Sequence, residues 1–409
     1  MEKVLYITRS DLPTNAEGLR MDRLSDILEK KGTKVDFISS KRVDEVSADG
    51  LLSSDFEFEE GIGLYYQFKS RRYFFDKSQK RSIISSLLNL VELFYQKHFF
   101  NRIICYCRKY KPDCVVIYNG LYRLTRLVIR FCKKNDIRVI EDVTEWYEIC
   151  PISSGVGNRF VTKSVDKRIR KLDRKATGII AISDFLFDYY KKKGIDVIWI
   201  PPLMNFETDF APSTNECLKF VYAGIPGRKD KLIPILDAVY ETNSQKNECK
   251  CFLYLIGIDE RYLFNNWKNI DYNKFGIFAF GRLPHNDTQN LIVETDFSFL
   301  LREKKRYALA GFSTKFAESL SLGIPVICNK IGGCDKLISD GITGFLLEDS
   351  SSQTIVTLID KISNLPSSTL YKMKMDALNF AKSFFLPQIY EDRLLQICFG
   401  EKHENNNRS

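Results

Sequence analysis

Residues 311–346 read GFSTKFAESLSLGIPVICNKIGGCDKLISDGITGFL, and their order decides the fold. A glycine opens a polar loop, Gly311-Phe312-Ser313-Thr314. A helix-length segment follows, with Phe316, Ala317 and Leu320 on one face. Gly323-Ile324-Pro325 stops it. PVICN (325–329) is then short and apolar almost throughout, as a parallel strand buried on both faces has to be. A Gly-Gly loop, a helical stretch at 333–339, an Asp-Gly turn and a second strand, GFLLE (344–348), repeat the alternation. Glu318 stands on the otherwise apolar helix face. A carboxylate among apolar neighbours needs a partner, and a ribose diol is a good one, because the carboxylate accepts both hydroxyl protons. The amides of 311–314 open a helix, which suits a diphosphate or a sugar.

The alternation extends outward through the whole chain. In the second half, strands are expected at 219–224, 251–257, 276–281, 296–301, 325–329 and 344–348, with helices near 230–243, 286–294, 313–322, 333–339 and 352–364. In the first half, strands are expected at 4–8, 35–39, 114–118, 137–141, 178–182 and 197–201. Helices fall at 16–31, about 79–110, 121–135, 160–176 and 184–193. This pattern predicts two Rossmann-like, doubly wound parallel-sheet domains facing a cleft. Pro201-Pro202 marks the border. The expected division is 1–200, 201–384, and a final helix near 386–399 with its tail, 385–409, returning to the first domain.

Composition narrows the partners. The chain has 409 residues, 61 Lys+Arg and 52 Asp+Glu, for a net charge of +9. Residues 1–200 hold 37 Lys+Arg against 27 Asp+Glu, and residues 201–409 hold 24 against 25, so the excess lies in the first half. No run of about 18 apolar residues predicts a membrane span, and the N-terminal stretch lacks a signal-peptide core. The 11 cysteines include no CxxC pair, so the reading is reduced, mostly buried thiols in a cytosolic protein. No recognised nucleic-acid module is visible.

Three further places carry candidate chemistry. After the first strand, TRSDLPTNAEG (8–18) leads into a helix. Gly18 either shapes an anion-binding loop or only a turn, and Arg20 and Arg23, three apart, either reach a phosphate or are solvated. In YAGIPGRKDKLIPILDA (222–238), Gly224 ends a strand and Arg228, Lys229 and Lys231 cluster at a helix start. Cations normally avoid that end, so an anion such as a diphosphate is expected there. After a first-half strand, Asp142, Glu145 and Glu148 either orient an acceptor or act as a base, or else form a charged loop with helix caps. The three histidines, His98, His285 and His403, give poor support for a histidine base, and no Asp-x-Asp marks a metal site.

YAGIPGRKD, YLIG, FGRLPHND, the Asp296 strand, STKFAESLSLGIPVI and DGITGFLL, in that order, resemble the donor-binding signature of the GT-B nucleotide-sugar glycosyltransferases. More narrowly they are similar to the retaining family 4 enzymes that build bacterial surface polysaccharides, such as capsule and O-antigen. EDVTEWYE (141–148) and ATGIIAISDFLFDYY (176–190) agree more loosely. The resemblance implies Glu318 as ribose ligand and Lys229 or Arg228 as donor-diphosphate ligand. It sets Lys315, with Gly311, Phe312, Ser313 and Thr314, beside the donor sugar and diphosphate, and Arg282 beside the base. It implies a nucleotide-diphosphate sugar donor and no cofactor. The lack of an Asp-x-Asp makes metal independence the expectation, and Arg228, Lys229 and, from its place after a first-half strand, Glu145 are the catalytic candidates. Two positions depart from the pattern: Ala310 stands where a second glutamate is usual, and Ile225 follows Gly224 where arginine is common.

The basic, aromatic-rich stretch 66–111 and the basic stretch 159–175 either dock on an anionic membrane or are merely solvated. The docking reading makes the protein peripheral on the inner face of the cytoplasmic membrane, with a polyprenyl-diphosphate-linked glycan as acceptor. The alternative to an enzyme is a non-catalytic GT-B-like partner subunit that binds nucleotide sugar or glycan.

Overall fold

The computed structural model describes residues 1–9, 16–43, 52–58, 61–68, 71–77, 96–148, 156–206, 217–226, 230–244, 250–330 and 333–400. The chain divides into two compact units, Met1–Pro201 with Tyr390–Ser409, and Pro202–Ile389. Each is an α/β unit built on a largely or wholly parallel sheet.

The first unit's sheet contains β1 (Lys3–Thr8), β2 (Lys34–Val43), β3 (Leu52–Phe58), β4 (Gly61–Phe68), β5 (Arg71–Lys77), β6 (Cys114–Tyr118), β7 (Arg138–Val143), β8 (Gly178–Ala181) and β9 (Val197–Trp199). Their order is β3-β4-β5-β2-β1-β6-β7-β8-β9. The six expected strands form its parallel part together with β5, which pairs parallel with β2. The antiparallel run β3-β4-β5 was not expected. Its segments, such as Ser54-Asp55-Phe56-Glu57-Phe58, alternate polar and apolar residues instead of running apolar, so a search for buried parallel strands passes over them. Part of the basic stretch 66–111 therefore lies in strands. The expected helix at 79–110 is described as Lys97–Tyr110, and residues 78–95 lie outside the described residues.

β1 is buried from Val4 to Thr8 and β6 along its whole length, as strands covered on both faces are. The last helix, Glu391–Phe399, belongs to this unit. Arg138 Nη2 donates to the Ile397 carbonyl at 3.0 Å, and a Cβ on Gly178 would stand 2.6 Å from the Ile397 side chain. Glycine at 178 thus lets that helix lie close on the sheet.

The second unit's sheet contains β10 (Leu218–Ala223), β11 (Cys251–Ile256), β12 (Ile277–Gly281), β13 (Phe297–Leu300), β14 (Val326–Asn329) and β15 (Gly344–Leu347), in the order β12-β11-β10-β13-β14-β15. All pairs are parallel. Every strand expected in this half is present. Residues Cys334–Leu337 make a 3-10 turn where a helix was expected.

The longest helix among the described residues, Ser367–Phe385, was not anticipated. It buries Met373, Ala377, Ala381 and Phe385, and also Lys374. Lys374 Nζ lies 3.1 Å from Asp296 and donates to the Thr295 carbonyl at 2.7 Å, while Asp296 also accepts from the Lys219 amide at 2.9 Å. Asp296 is therefore a structural pin at the start of β13. Lysine amid apolar positions blurs the helical stripe, which is why this helix escapes a reading of the sequence.

Among the described residues, no helix is long and apolar enough to cross a membrane. Among the described residues no cysteine forms a disulfide, and seven of the nine are buried.

Candidate functional site

In the second unit, strands run outward in both directions from the neighbours β10 and β13. Open parallel sheets bind ligands at the carboxyl ends of strands at such a reversal. Several polar side chains converge there. Tyr222 is the penultimate residue of β10, Arg302 follows β13, and Lys315 lies in the first turn of the helix Thr314–Ser321. Asp230 is joined to Arg302 by an isolated antiparallel bridge.

Lys315 Nζ donates to Asp230 Oδ2 at 2.7 Å and to the Tyr222 hydroxyl at 2.8 Å. The Tyr222 hydroxyl donates to the same Asp230 oxygen at 2.8 Å. Arg302 Nε donates to the other, Oδ1, at 3.1 Å. Behind Arg302, Asn329 at the end of β14 accepts from the Arg302 amide and donates to its carbonyl, both at 2.9 Å. This clamp fixes the backbone that carries the guanidinium.

Gly224 makes room for the ammonium. Its φ is +128°, and a Cβ there would stand 2.4 Å from Lys315 Cε. Gly257, φ +86°, backs onto Gly224, with its own Cβ position 3.0 Å from the Gly224 carbonyl carbon. Only glycine meets both demands at 224, the positive φ and the empty space.

Burial opposes the charged form of Asp230, but Lys315 and Arg302 outweigh it and hold the carboxyl below its ordinary value. Burial pulls the Lys315 ammonium below its usual value, with Asp230 acting against it. Burial and then Asp230 push the Tyr222 phenol up, so it stays a proton donor. One carboxylate thus holds two cations at the reversal, leaving one net positive charge. Glu318, three residues after Lys315 and half-buried, acts electrostatically on Lys315.

The remaining expected residues separate. Arg228 and Lys229 lie outside the described residues. Ser313 caps the helix, its Oγ accepting from the Phe316 amide at 3.4 Å. Phe312 packs against Phe316 and Phe385, so its ring belongs to the core. Gly311 precedes them as the residue that ends the helix Arg306–Ala310, whose Ala310 is fully buried. Arg282 is exposed beyond β12, two strands from β10.

In the first unit, Gly18 is not a loop residue; it sits buried in the first turn of the helix Ala16–Lys30. Arg20 is neither solvated nor aimed at a phosphate. It is buried, donating to both Asp142 oxygens at 2.8–3.2 Å and to the carbonyls of Ile200 and Pro201 at 3.0 and 3.3 Å. Asp142, itself fully buried, is committed to that pair. Glu145 is half-buried and Glu148 exposed. Between them, Trp146 is buried, its Nε1 donating to Asp166 at 2.9 Å.

Sequence reasoning missed Tyr222, Asp230, Arg302 and Asn329. Asp230 stands within the run Arg228-Lys229-Asp230-Lys231, where a carboxylate among cations is itself a signal of pairing. Arg302 was legible as a charged residue directly after an apolar strand. Among the described residues, no three His, Cys, Asp or Glu side chains gather as a metal-ligand set.

Residues 230–379, which hold Asp230, Arg302, Lys315 and Glu318, match the model of the family Glycosyl transferases group 1. These residues form a glycosyl transferases group 1 domain. The group 1 domain covers most of the second unit, and glycosyl transfer in general is the class of activity it brings. No curated protein matches the sequence.

Solved structures extend the likeness to the whole chain. Sucrose-phosphate synthase from Thermosynechococcus elongatus is similar at 13% identity and a TM-score of 0.67, over 97% of this chain and 98% of that one. A glycosyltransferase from Rickettsia africae is similar at 16% and 0.64, over 97% of both chains. Anabaena Alr3699/HepE, in complex with UDP and glucose, is similar at 13% and 0.60, over 97% and 99%. At these identities the likeness shows the fold, and the fold is GT-B.

Proposed function

We propose that the protein is a glycosyltransferase of the family 4 type, acting in bacterial polysaccharide synthesis. It takes a hexosyl group from a nucleotide-diphosphate sugar and passes it, with retention and without a metal, to a glycan acceptor. The observation that carries this reading is the Asp230–Lys315–Arg302 network at the strand-order reversal of the group 1 domain. The Anabaena relative, solved with UDP and glucose, supports a nucleotide-sugar donor.

The chemistry breaks the bond between the sugar's anomeric carbon and the diphosphate and forms one to an acceptor oxygen. The acceptor proton passes to the departing phosphate. Negative charge grows on that phosphate, so cations held in place before reaction lower the barrier. Lys315 and Arg302 are held so by Asp230, and Arg228 and Lys229 are the nearby chain's further cations. Glu318 takes the ribose hydroxyls. The carboxylate of Asp142 is committed to Arg20, which leaves Glu145 and Glu148 as the first unit's acceptor-side candidates. The acceptor is a lipid-linked glycan on the inner face of the cytoplasmic membrane, a reading supported by the excess of cations in the first unit.

The test is calorimetric titration of UDP, GDP and ADP and of their sugars into wild type and Lys315→Ala and Glu318→Ala variants. At least one nucleotide sugar should bind, and each variant should weaken it by about tenfold or more with its melting temperature kept. Binding by no nucleotide, or equal binding by all three proteins, refutes the reading. Binding without transfer to any acceptor favours the non-catalytic partner subunit.

A further inference from the structure

The first unit carries a second concentration of positive charge that the donor reading does not use. Between the helices Tyr122–Lys134 and Val156–Lys171 lies a groove of about 540 Å³. Its floor is Tyr122, Ile129 and Leu172. Its walls are five cations: Arg126, Arg130 and Lys133 from the first helix, and Lys171 and Lys175 from the end of the second and the turn after it.

Helical spacing explains the row. Positions 126, 130 and 133 follow one another at i+4 and i+3, so they share one face over about two turns. All five are exposed at their tips, and among the described residues none of the five makes an ion pair. The acids of the second helix and of the turn after it are taken. Asp166 pairs with Arg170 and accepts from Trp146. Asp173 is fully buried, accepting from Tyr190 and facing Arg168.

Cations in the last turn of a helix complement its dipole, which accounts for Lys133 and Lys171. It does not account for Arg126 and Arg130, which stand mid-helix where like charges four apart repel. Five uncompensated cations around one concavity cost self-repulsion unless an anion relieves it. The volume is that of a small-molecule site. Among the described residues, no large apolar side chain stands exposed on these two helices, so nothing there wedges into a bilayer core.

We propose that this groove is an anion site for a phosphate-bearing group, separate from the donor site of the second unit. The sugar or alkyl part rests on the half-buried Tyr122, and the phosphate oxygens are shared among the five cations. The group comes either free in solution or as the headgroup of an anionic lipid.

The experiment uses the full chain carrying Lys315→Ala, so that phosphate binding at the donor site is suppressed equally throughout. Arg126→Gln with Arg130→Gln removes two groove charges. Lys134→Gln with Lys163→Gln removes two exposed charges outside the groove. Tripolyphosphate is titrated by calorimetry, and phosphatidylglycerol and phosphatidylcholine vesicles are co-sedimented. For at least one of tripolyphosphate and phosphatidylglycerol, the groove pair should weaken binding about tenfold and the control pair less than twofold. Dependence with tripolyphosphate assigns a soluble ligand, and dependence with phosphatidylglycerol alone assigns a lipid headgroup. Equal weakening by both pairs, no weakening by either, or no binding of either anionic probe overturns the proposal. The nucleotide titrations above fail or succeed independently of this outcome.

Discussion

Removing the guanidinium from Arg20 separates a structural role for Asp142 from a catalytic one. Arg20→Met keeps most of the side chain's volume and removes a two-pronged pair with contacts of 2.8–3.2 Å to Asp142. It also removes the donors to the Ile200 and Pro201 carbonyls. The Arg20 side chain is 6% exposed and that of Asp142 0%, so water does not replace what is lost. Burial disfavours the charged guanidinium, yet Asp142 more than offsets this and raises the Arg20 pKa. Breaking a buried pair from one side costs about 3–5 kcal/mol, because a charge remains without compensation. In a unit of this size that lowers the melting temperature by roughly 6–20 °C. The assay is thermal and urea denaturation of Arg20→Met, Asp142→Leu and the double variant. Trp146 and Trp199 fluorescence reports on the first unit. The double variant should recover part of the loss, since it leaves no lone charge. Two results refute the reasoning: a single-variant loss under about 1 kcal/mol, or strict additivity in the double variant. If Asp142→Leu abolished transfer while stability was kept, Asp142 would be the base.

Gly224→Ala forces a Cβ against Lys315 and a side chain into positive φ, a strain of about 1–3 kcal/mol; nucleotide-sugar affinity and melting temperature should fall together, whereas Glu318→Ala should lower affinity alone. Lys374→Met strands Asp296 in the core and should cost about 3–5 kcal/mol, read by urea denaturation followed through Trp267 in the second unit. The Asp230 carboxyl is lowered in the folded protein because Lys315 and Arg302 outweigh its burial. Its stabilisation is therefore complete above the unfolded value near ~4 and lost as pH falls through the lowered one. The stability gap between wild type and Asp230→Asn should shrink below about pH 4 in denaturation curves taken at several pH values. Burial pushes the Cys107 thiol up to about 12, so iodoacetamide at pH 8 should leave it unlabelled in the native protein and label it after unfolding, as peptide mass spectrometry will read.

Much of the second unit's sheet was legible because its strands are short, apolar and separated by glycine turns. The site was legible only in part. Lys315 and Glu318 announce themselves as charges on an apolar helix. Their partners do not, because Tyr222, Asp230 and Arg302 are spread over 80 residues and meet only through parallel pairing of β10 with β13. In the first unit, Asp142 looked like a site residue because it follows an apolar strand. Arg20, 122 residues away in sequence, turns it into part of the core.

Local pattern by itself determined the class of fold, the α/β alternation and the second unit's group 1 motifs. Those depend on hydrophobic period and turn residues, which act over a few residues. Only the tertiary structure decided which charges are free to act. Asp142, Asp296 and Arg20 are spent inside the protein, and Lys315 and Arg302 are gathered on Asp230. A charge's role depends on what surrounds it at about 3 Å, and those neighbours come from distant strands and helices that no local pattern pairs.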